Sequence, residues 1–256
     1  MTEARGLGLD AGSTTVKLVA VNAAGDLIWH RLEDTDPHLK RQIARLSAEA
    51  RAELGATGVP LVATGYGRNL VEGAGRAVTE ITCHAKGVFR RTGQGGTLVD
   101  IGGQDSKVIV IGPRGQVLSF GMNDKCAAGT GRFLEVAAAR LKYSLDAFAQ
   151  AALAAQSEVA ISSTCTVFAE SEVIGLIAQG GDIDAIVRGL HRSLIRRVSA
   201  LARGGGVQPP VMLSGGVAKS AAIRKLLAEE LKHEVIVPPD PQLMGAYGAA
   251  LIALER

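Results

Sequence analysis

Thr97-Leu-Val-Asp-Ile-Gly-Gly-Gln-Asp-Ser-Lys107, continued by Val108 to Ile111, Gly112-Pro-Arg-Gly115 and Gln116 to Phe120, decides the fold. An apolar run, Thr97 to Ile101, breaks into Gly102-Gly103-Gln104-Asp105-Ser106 and returns as Lys107 to Ile111. The glycine–proline turn sends Gln116 to Phe120 back as a third strand. A strand that ends in Asp-x-Gly-Gly is a candidate phosphate loop. Its glycines let backbone N–H groups approach oxyanions, and its carboxylate is suited to hydrated Mg²⁺. The meander then runs to Cys126, the pentapeptide Ala-Ala-Gly-Thr-Gly and an apolar-periodic helix from Phe133 to Leu141. A short β-meander therefore joins a candidate nucleotide loop to a thiol.

The same design opens the chain. Leu7 to Ala11 reads as a strand, Gly12-Ser13-Thr14-Thr15 as its turn, and Val16 to Val21 as the returning strand. Asp10, Gly12, Lys17 and Gly25 recur ninety positions later as Asp100, Gly102, Lys107 and Gly115, and apolar positions keep the same offset. Glycine-rich hairpins can coincide by chance, but loop chemistry and strand lengths in one register favour a duplicated unit. A third strand-to-glycine turn follows at Ser214-Gly215-Gly216-Val217. The three loops resemble the phosphate-1, phosphate-2 and adenosine loops of the acetate kinase, hexokinase, Hsp70 and actin superfamily. That resemblance implies an α/β fold of two ribonuclease-H-like lobes with ATP in the cleft. The expected division is residues 1–92, completed by a C-terminal helix at 243–256, and a second lobe at 93–242. The sequence has no Gly-x-x-x-x-Gly-Lys-[Ser/Thr] loop and no strand–Gly-x-Gly-x-x-Gly fingerprint, which disfavours the rival nucleotide folds.

Elsewhere the patterning predicts helices over 37–54, 145–153, 170–178 and about 182–203, strands over 60–64, 159–163, 211–213 and 235–237, and no long linker. Trp29 and Tyr66 read as core or interface aromatics. With 47% hydrophobic residues the chain has material for a real core. Its net charge of +3 is small and dispersed, so no nucleic-acid partner is expected. No signal-peptide pattern and no apolar run of about 18 residues occurs, which predicts a soluble cytoplasmic protein without a membrane partner.

The cysteines number three, Cys83, Cys126 and Cys165, too few and too widely spaced for a disulfide framework. Cys126 and Cys165 each precede a helix, and a helix N-terminus favours the thiolate that a metal needs. Burial as two apolar cysteines is the other reading, since thirty-eight intervening residues fit no metal-ligand template. A cubane iron–sulfur cluster takes four ligands. Two identical subunits, each giving Cys126 and Cys165 across a two-fold axis, would supply them.

Here the resemblance narrows. Asn123-Asp-Lys-Cys-Ala-Ala-Gly-Thr-Gly131 with Phe133-Leu-Glu135, Ser163-Thr-Cys-Thr-Val-Phe-Ala-Glu-Ser-Glu-Val173, Thr79-Glu-Ile-Thr-Cys-His-Ala85 and Pro241-Gln-Leu-Met-Gly-Ala246 resemble the 2-hydroxyacyl-CoA dehydratase activators. That family includes the ATPase subunits of benzoyl-CoA-type reductases. It implies a homodimer with one [4Fe–4S] cluster held through Cys126 and Cys165. While hydrolysing MgATP to ADP, the dimer would pass a low-potential electron from an external donor such as ferredoxin or flavodoxin to an iron–sulfur acyl-CoA dehydratase or reductase. The nucleotide would lie against Gly12, Ser13, Thr14, Thr15, Lys17, Gly102, Gly103, Gln104, Ser214, Gly215, Gly216, Val217 and Gln242. Kinases of this superfamily use a carboxylate base toward a substrate hydroxyl. Here Gln104 stands beside Asp105, so phosphate would go to water; Asp10 and Asp105 are candidates to hold Mg²⁺ through water, and Gln104 to orient the attacking water. Lys17 and Lys107 would neutralise phosphate, unless one is simply a strand-surface lysine. Cys83 reads as a packing residue and His84 as a structural histidine. A cluster-free small-molecule kinase and an actin- or Hsp70-like regulatory module are the rival classes.

Overall fold

The computed structural model describes residues 3–255; the first two residues and Arg256, which fall within the expected lobe ranges, lie outside the described residues. The first apolar run forms β1 (Gly6–Ala11), followed by β2 (Thr15–Val21) and β3 (Leu27–Asp34) in an antiparallel meander. Helix α1 (Leu39–Leu54) carries the chain to β4 (Leu61–Thr64), parallel to β1, and to the short β5 (Arg76–Ala77). Helix α2 (Glu80–Thr92) starts one residue after Thr79, whose hydroxyl caps the Thr82 N–H. Cys83 and His84 therefore lie in its first turns.

The second meander is β6 (Gly96–Ile101), β7 (Ser106–Ile111) and β8 (Val117–Asn123). Its crossover is longer: α3 (Gly131–Arg140), α4 (Leu145–Ala154), α5 (Thr166–Ala178) and α6 (Ile183–Gly205) precede β9 (Val211–Ser214). Then come α7 (Ala221–Leu231), β10 (Val235–Ile236) and the closing α8 (Met244–Ala253). The two five-stranded sheets have the orders β3-β2-β1-β4-β5 and, read from its far edge, β8-β7-β6-β9-β10. Each is one antiparallel meander extended by parallel strands, so the ninety-residue repeat is a repeat of topology.

By packing, the chain divides into one compact unit of Met1–Gly95, Ile111–Leu118 and Gln242–Arg256, and another of Gly96–Val110 and Ser119–Pro241. In the first, Leu9, Val16, Leu18, Ile43 and Leu46 fill the space between sheet and α1. In the second, Val99, Phe133, Phe148, Ile186 and Leu213 do the same between sheet and helices.

One expectation is corrected. Residues 159–163 form no strand: the Val159 N–H donates to the Ala185 carbonyl, and Gly189 of α6 lets that backbone in, since a Cβ there would lie 1.8 Å from the Val159 oxygen. The segment is apolar because it packs on a helix, not because it joins a sheet. Tyr66 is 86% exposed, which leaves the interface reading of that aromatic and not the core one. Among the described residues, no helix is long and apolar enough to cross a membrane.

Small residues let α8 lie directly on β1 and α2. A Cβ on Gly8 would stand 2.0 Å from the Ala246 oxygen, and one on Gly248 would stand 1.8 Å from the Cys83 oxygen. Backbone cannot yield as a flexible side chain can. Gly248→Ala is therefore expected to cost about 1–3 kcal/mol of stability, the usual cost of overpacking. A urea titration checks this; an unchanged midpoint would show that α8 has room to shift.

Candidate functional site

In the first unit, strand register sets Asp10 opposite Lys17, and their side chains meet at 3.2 Å with both groups largely buried. Gly12 opens the turn between them, where a Cβ would stand 2.6 Å from the Thr15 oxygen; the Gly12 carbonyl accepts from the Thr35 hydroxyl. Ser13 is exposed, while Thr14 and Thr15 are half-buried beside it. At the end of β4, Thr64 pairs in register with Asp10, and Gly65 follows at φ +86°. A side chain on Gly65 would stand 2.3 Å from Asp10 Oδ1.

The second unit builds the same corner with one more charge. Lys107, 3% exposed, lies 3.5 Å from Asp100 and 2.9 Å from Asp105. Ser214 at the end of β9 donates to Asp100 Oδ1 at 2.6 Å, and strand register places it beside that residue. Gly215 follows at φ +89°, where a Cβ would stand 2.2 Å from the Ile101 oxygen, so the turn requires glycine. Its N–H donates to the carbonyl of Pro241, the residue before the half-buried Gln242. Gly216 and Val217 begin a single 3₁₀ turn, and α7 starts only at Ala221. Gln104 is exposed between Gly103 and Asp105. Neither lysine is a surface residue. The repeat also reaches further than the ninety-residue register, because Thr64-Gly65 and Ser214-Gly215 hold equivalent places behind Asp10 and Asp100. The two corners differ where Asp105 stands, since the equivalent position in the first unit is Thr15.

The loop at Gly102 is tied directly to the cysteine segment. The first two N–H groups of α3, from Gly131 and Arg132, donate to the Gly102 and Gly103 carbonyls at 2.8 and 2.9 Å. The buried Thr130 hydroxyl bridges the Gly103 and Ala127 carbonyls. A Cβ on Gly131 would stand 3.0 Å from both the Gly102 oxygen and Val217, so three predicted loop residues converge on that helix end. Upstream, the Asn123 amide accepts from the Cys126 N–H and donates to the Cys126 carbonyl. Cys126 thus caps a short turn, Ala127–Gly129, that is locked to the phosphate loop.

Cys165 caps α5 in turn. The peptide before it is held from two sides. Glu172 accepts the Ser162 and Ser163 N–H groups and the Ser162 hydroxyl at 2.7–2.8 Å, and Arg197 of α6 donates to the Ser163 carbonyl at 2.8 Å. Arg197 also stacks over Phe133 of α3, its guanidinium carbon 5.6 Å from the ring centre. Sequence reasoning assigned neither Glu172 nor Arg197 a role. Each looks like an ordinary charged helix residue until the fold brings the loop back.

Cys126 and Cys165 are both exposed and outside any disulfide, which overturns the reading of two buried cysteines. Cys83 is buried, and burial pushes its thiol up to about 11, so it stays protonated and packs. Among the described residues, one chain brings no three histidine, cysteine or acidic side chains together as a metal site. Two soft thiol ligands at helix starts suit the irons of an iron–sulfur cluster but make only half of a four-thiolate set. The donor set therefore fits a cluster shared with a second copy and not one held within a single chain.

Burial opposes ionisation of Glu172, but hydrogen bonds from Ser163 and Ser162 outweigh it and bring the carboxyl from 4.5 down to about 2. A carboxyl lowered in the folded state adds stability that is complete above its unfolded value and fades as pH falls toward its folded one. Protection of the Ser162 and Ser163 amides from hydrogen exchange should hold down to about pH 4.5 and disappear toward pH 2. Glu172→Gln should lack that pH dependence and exchange faster at pH 7. Equal protection in both proteins would mean that Arg197 alone holds the loop.

Comparison with known proteins places these features. The chain is 42% identical over 258 residues to the 2-hydroxyisocaproyl-CoA dehydratase activator of Clostridioides difficile, covering 98% of this chain and 95% of that one. It is 41% identical to the (R)-2-hydroxyglutaryl-CoA dehydratase activating ATPase of Acidaminococcus fermentans, with 98% and 97% covered. A component of the benzoyl-CoA reductase of Thauera aromatica is more distant, at 31% identity over 95% and 91% of the two chains. Among solved structures, the Clostridium difficile activator with bound ADPNP superposes with a TM-score of 0.90 at 41% identity, covering 98% of this chain and 94% of that one. A ROK-family glucokinase from Streptomyces griseus, at 15% identity, 98% and 99% coverage and a TM-score of 0.63, shares the fold alone. The superfamily fold expected from the three loops is thereby shown. The model of the BadF/BadG/BcrA/BcrD ATPase family matches residues 7–253, and the chain belongs to that family.

Proposed function

We propose that this chain is the activator of a 2-hydroxyacyl-CoA dehydratase, coupling MgATP hydrolysis to delivery of one low-potential electron. Two copies would hold one [4Fe–4S] cluster through Cys126 and Cys165 of each. When bound, the cluster supplies a one-electron carrier at the protein surface. The observation that carries this reading is the pair of exposed thiols at helix starts, one of them fastened through Thr130 and Gly131 to the Gly102–Gly103 loop. An ordinary kinase of this fold has no use for those thiols.

The residues of each loop divide the work. Backbone N–H groups at the glycines receive phosphate oxygens, and Lys17 and Lys107 balance their charge. Asp10 and Asp105 each already face a lysine near 3 Å, so they hold hydrated Mg²⁺ through water instead of ligating it directly. Gln104, exposed between them in sequence order, has an amide free to orient a water toward the γ-phosphate. The electron comes from an external low-potential donor such as ferredoxin or flavodoxin, and the acceptor is the partner dehydratase. The relatives' names support that partner, and the family as a whole supports ATP.

Iron analysis of the anaerobically purified dimer should give four per pair of chains. Cys126→Ser or Cys165→Ser should abolish it and weaken dimerisation, while Cys83→Ser should keep it. Four irons per single chain, or loss only in Cys83→Ser, would contradict the shared site. Gln104→Ala should still bind ATP but turn over roughly 10²-fold more slowly, as for loss of a water-positioning group. Unchanged turnover would pass that role to Asp105.

A further inference from the structure

Helix α6 carries five arginines, at 188, 192, 196, 197 and 203. Four of them are ion-paired. Arg188 and Arg192 reach Glu158 and Glu229, Arg196 reaches Glu158, and Arg203 reaches Glu230. Arg197 has no carboxylate within ion-pair distance among the described residues. Its contacts are the Ser163 carbonyl, the Ser193 hydroxyl and the face of Phe133. A half-buried guanidinium without a counter-charge is costly, and burial pushes it below the ordinary arginine value, with Cys126 the charge that opposes the shift. Two of its contacts lie on the segments that bear the cysteines. Ser163 is two residues before Cys165, and Phe133 is two residues into the helix that follows the Cys126 turn. The other arginines pair with carboxylates of the helix bundle, whereas this one contacts the two segments that bear the thiols.

We propose that Arg197 is the positioning residue and counter-charge of the two-cysteine site, joining the Cys126 and Cys165 segments and favouring the more negative of the site's charge states. The inference rests on the thiolate-bound cluster reading given above. In that reading each copy brings one Arg197, and the site gains a negative charge on reduction. A nearby fixed positive charge stabilises the reduced form more than the oxidised form, and so raises the midpoint potential. Guanidinium chemistry also matters, because one planar fork serves a carbonyl, a hydroxyl and a ring face together.

The test uses the full chain, purified anaerobically and reconstituted with iron and sulfide. Arg197→Gln, Arg197→Lys and Arg196→Gln are compared with the unaltered protein by iron content, midpoint potential and hydrogen exchange of residues 162–166 without metal. Arg197→Gln should retain iron, lower the reduced-to-oxidised ratio at a fixed potential about tenfold, equal to ~59 mV for one electron, and expose the 162–166 amides. Arg197→Lys keeps the charge, so its potential should stay near that of the unaltered protein while the loop still exchanges faster. Arg196→Gln should alter neither. If Arg197→Gln does not fold, Arg197→Met preserves the stem's packing on Phe133 and carries the same expectation. An unchanged potential and unchanged exchange in the neutral variant would overturn the proposal while leaving the shared cluster intact. An unaltered protein that takes up no iron would defeat the cluster reading itself and this inference with it. That outcome is told apart because it is seen before any variant is made.

Discussion

Lys107 is a buried ammonium held between two carboxylates, and the shape of the second unit's corner follows from satisfying it. Removing one charge from water costs several kcal/mol, and a pair broken in the interior costs about 3–5 kcal/mol. The chain must therefore turn sharply enough after β6 for Asp105 to come back to Lys107, 2.9 Å away. Gly102 permits that turn, since a Cβ there would stand 2.6 Å from Asp105 Oδ1. Ser214 occupies a further lone pair of Asp100, and Gly215 lets β9 end against Ile101. Every charge in the loop that would receive phosphate is thus already answered within the protein.

The first unit meets a smaller demand with less. Asp10 and Lys17 pair across the meander, Thr64 has the position of Ser214 but makes no hydrogen bond to Asp10, and Thr15 stands where the second unit has Asp105. Duplication supplied two corners of one design, and the added carboxylate marks the second as chemically distinct. The cysteine segments also belong only to the second unit, within a crossover that has four helices where the first unit has one. Both features that set this chain apart from a plain nucleotide-binding fold therefore lie on the same half.

How much of this was legible follows from what sequence spacing can carry. The meanders were, because strand pairing converts a fixed offset directly into register: Asp10 opposite Lys17 is visible in the spacing itself. The Thr64-Gly65 corner was not, because the unequal crossovers break the ninety-residue offset before β4 and β9 are reached. The thiols were identifiable as a pair, and their exposure required the fold. Arg197 and Glu172 were invisible, being single charged residues on helices whose partners are peptide groups more than thirty and about ten residues away. Residues 159–163 misled for the converse reason: an apolar extended segment has the same pattern on a helix face as on a sheet.

The central claim is that nucleotide state reaches the thiol site through the hydrogen-bonded joint from Gly102 and Gly103 to Gly131, Arg132 and Thr130. In the proposed reading, a γ-phosphate that shifts the loop would shift the start of α3 and, through the Asn123-locked turn, Cys126. The energy involved is modest, since about 1.4 kcal/mol of differential binding changes a one-electron equilibrium tenfold, or ~59 mV. The direct measurement is the midpoint potential of the iron-loaded dimer, with the rate at which a chelator removes its iron, in ADP and in a non-hydrolysable ATP analogue. The account predicts that both quantities differ between the two nucleotides. Identical potentials and identical removal rates would contradict it, even in a protein that binds both iron and ATP.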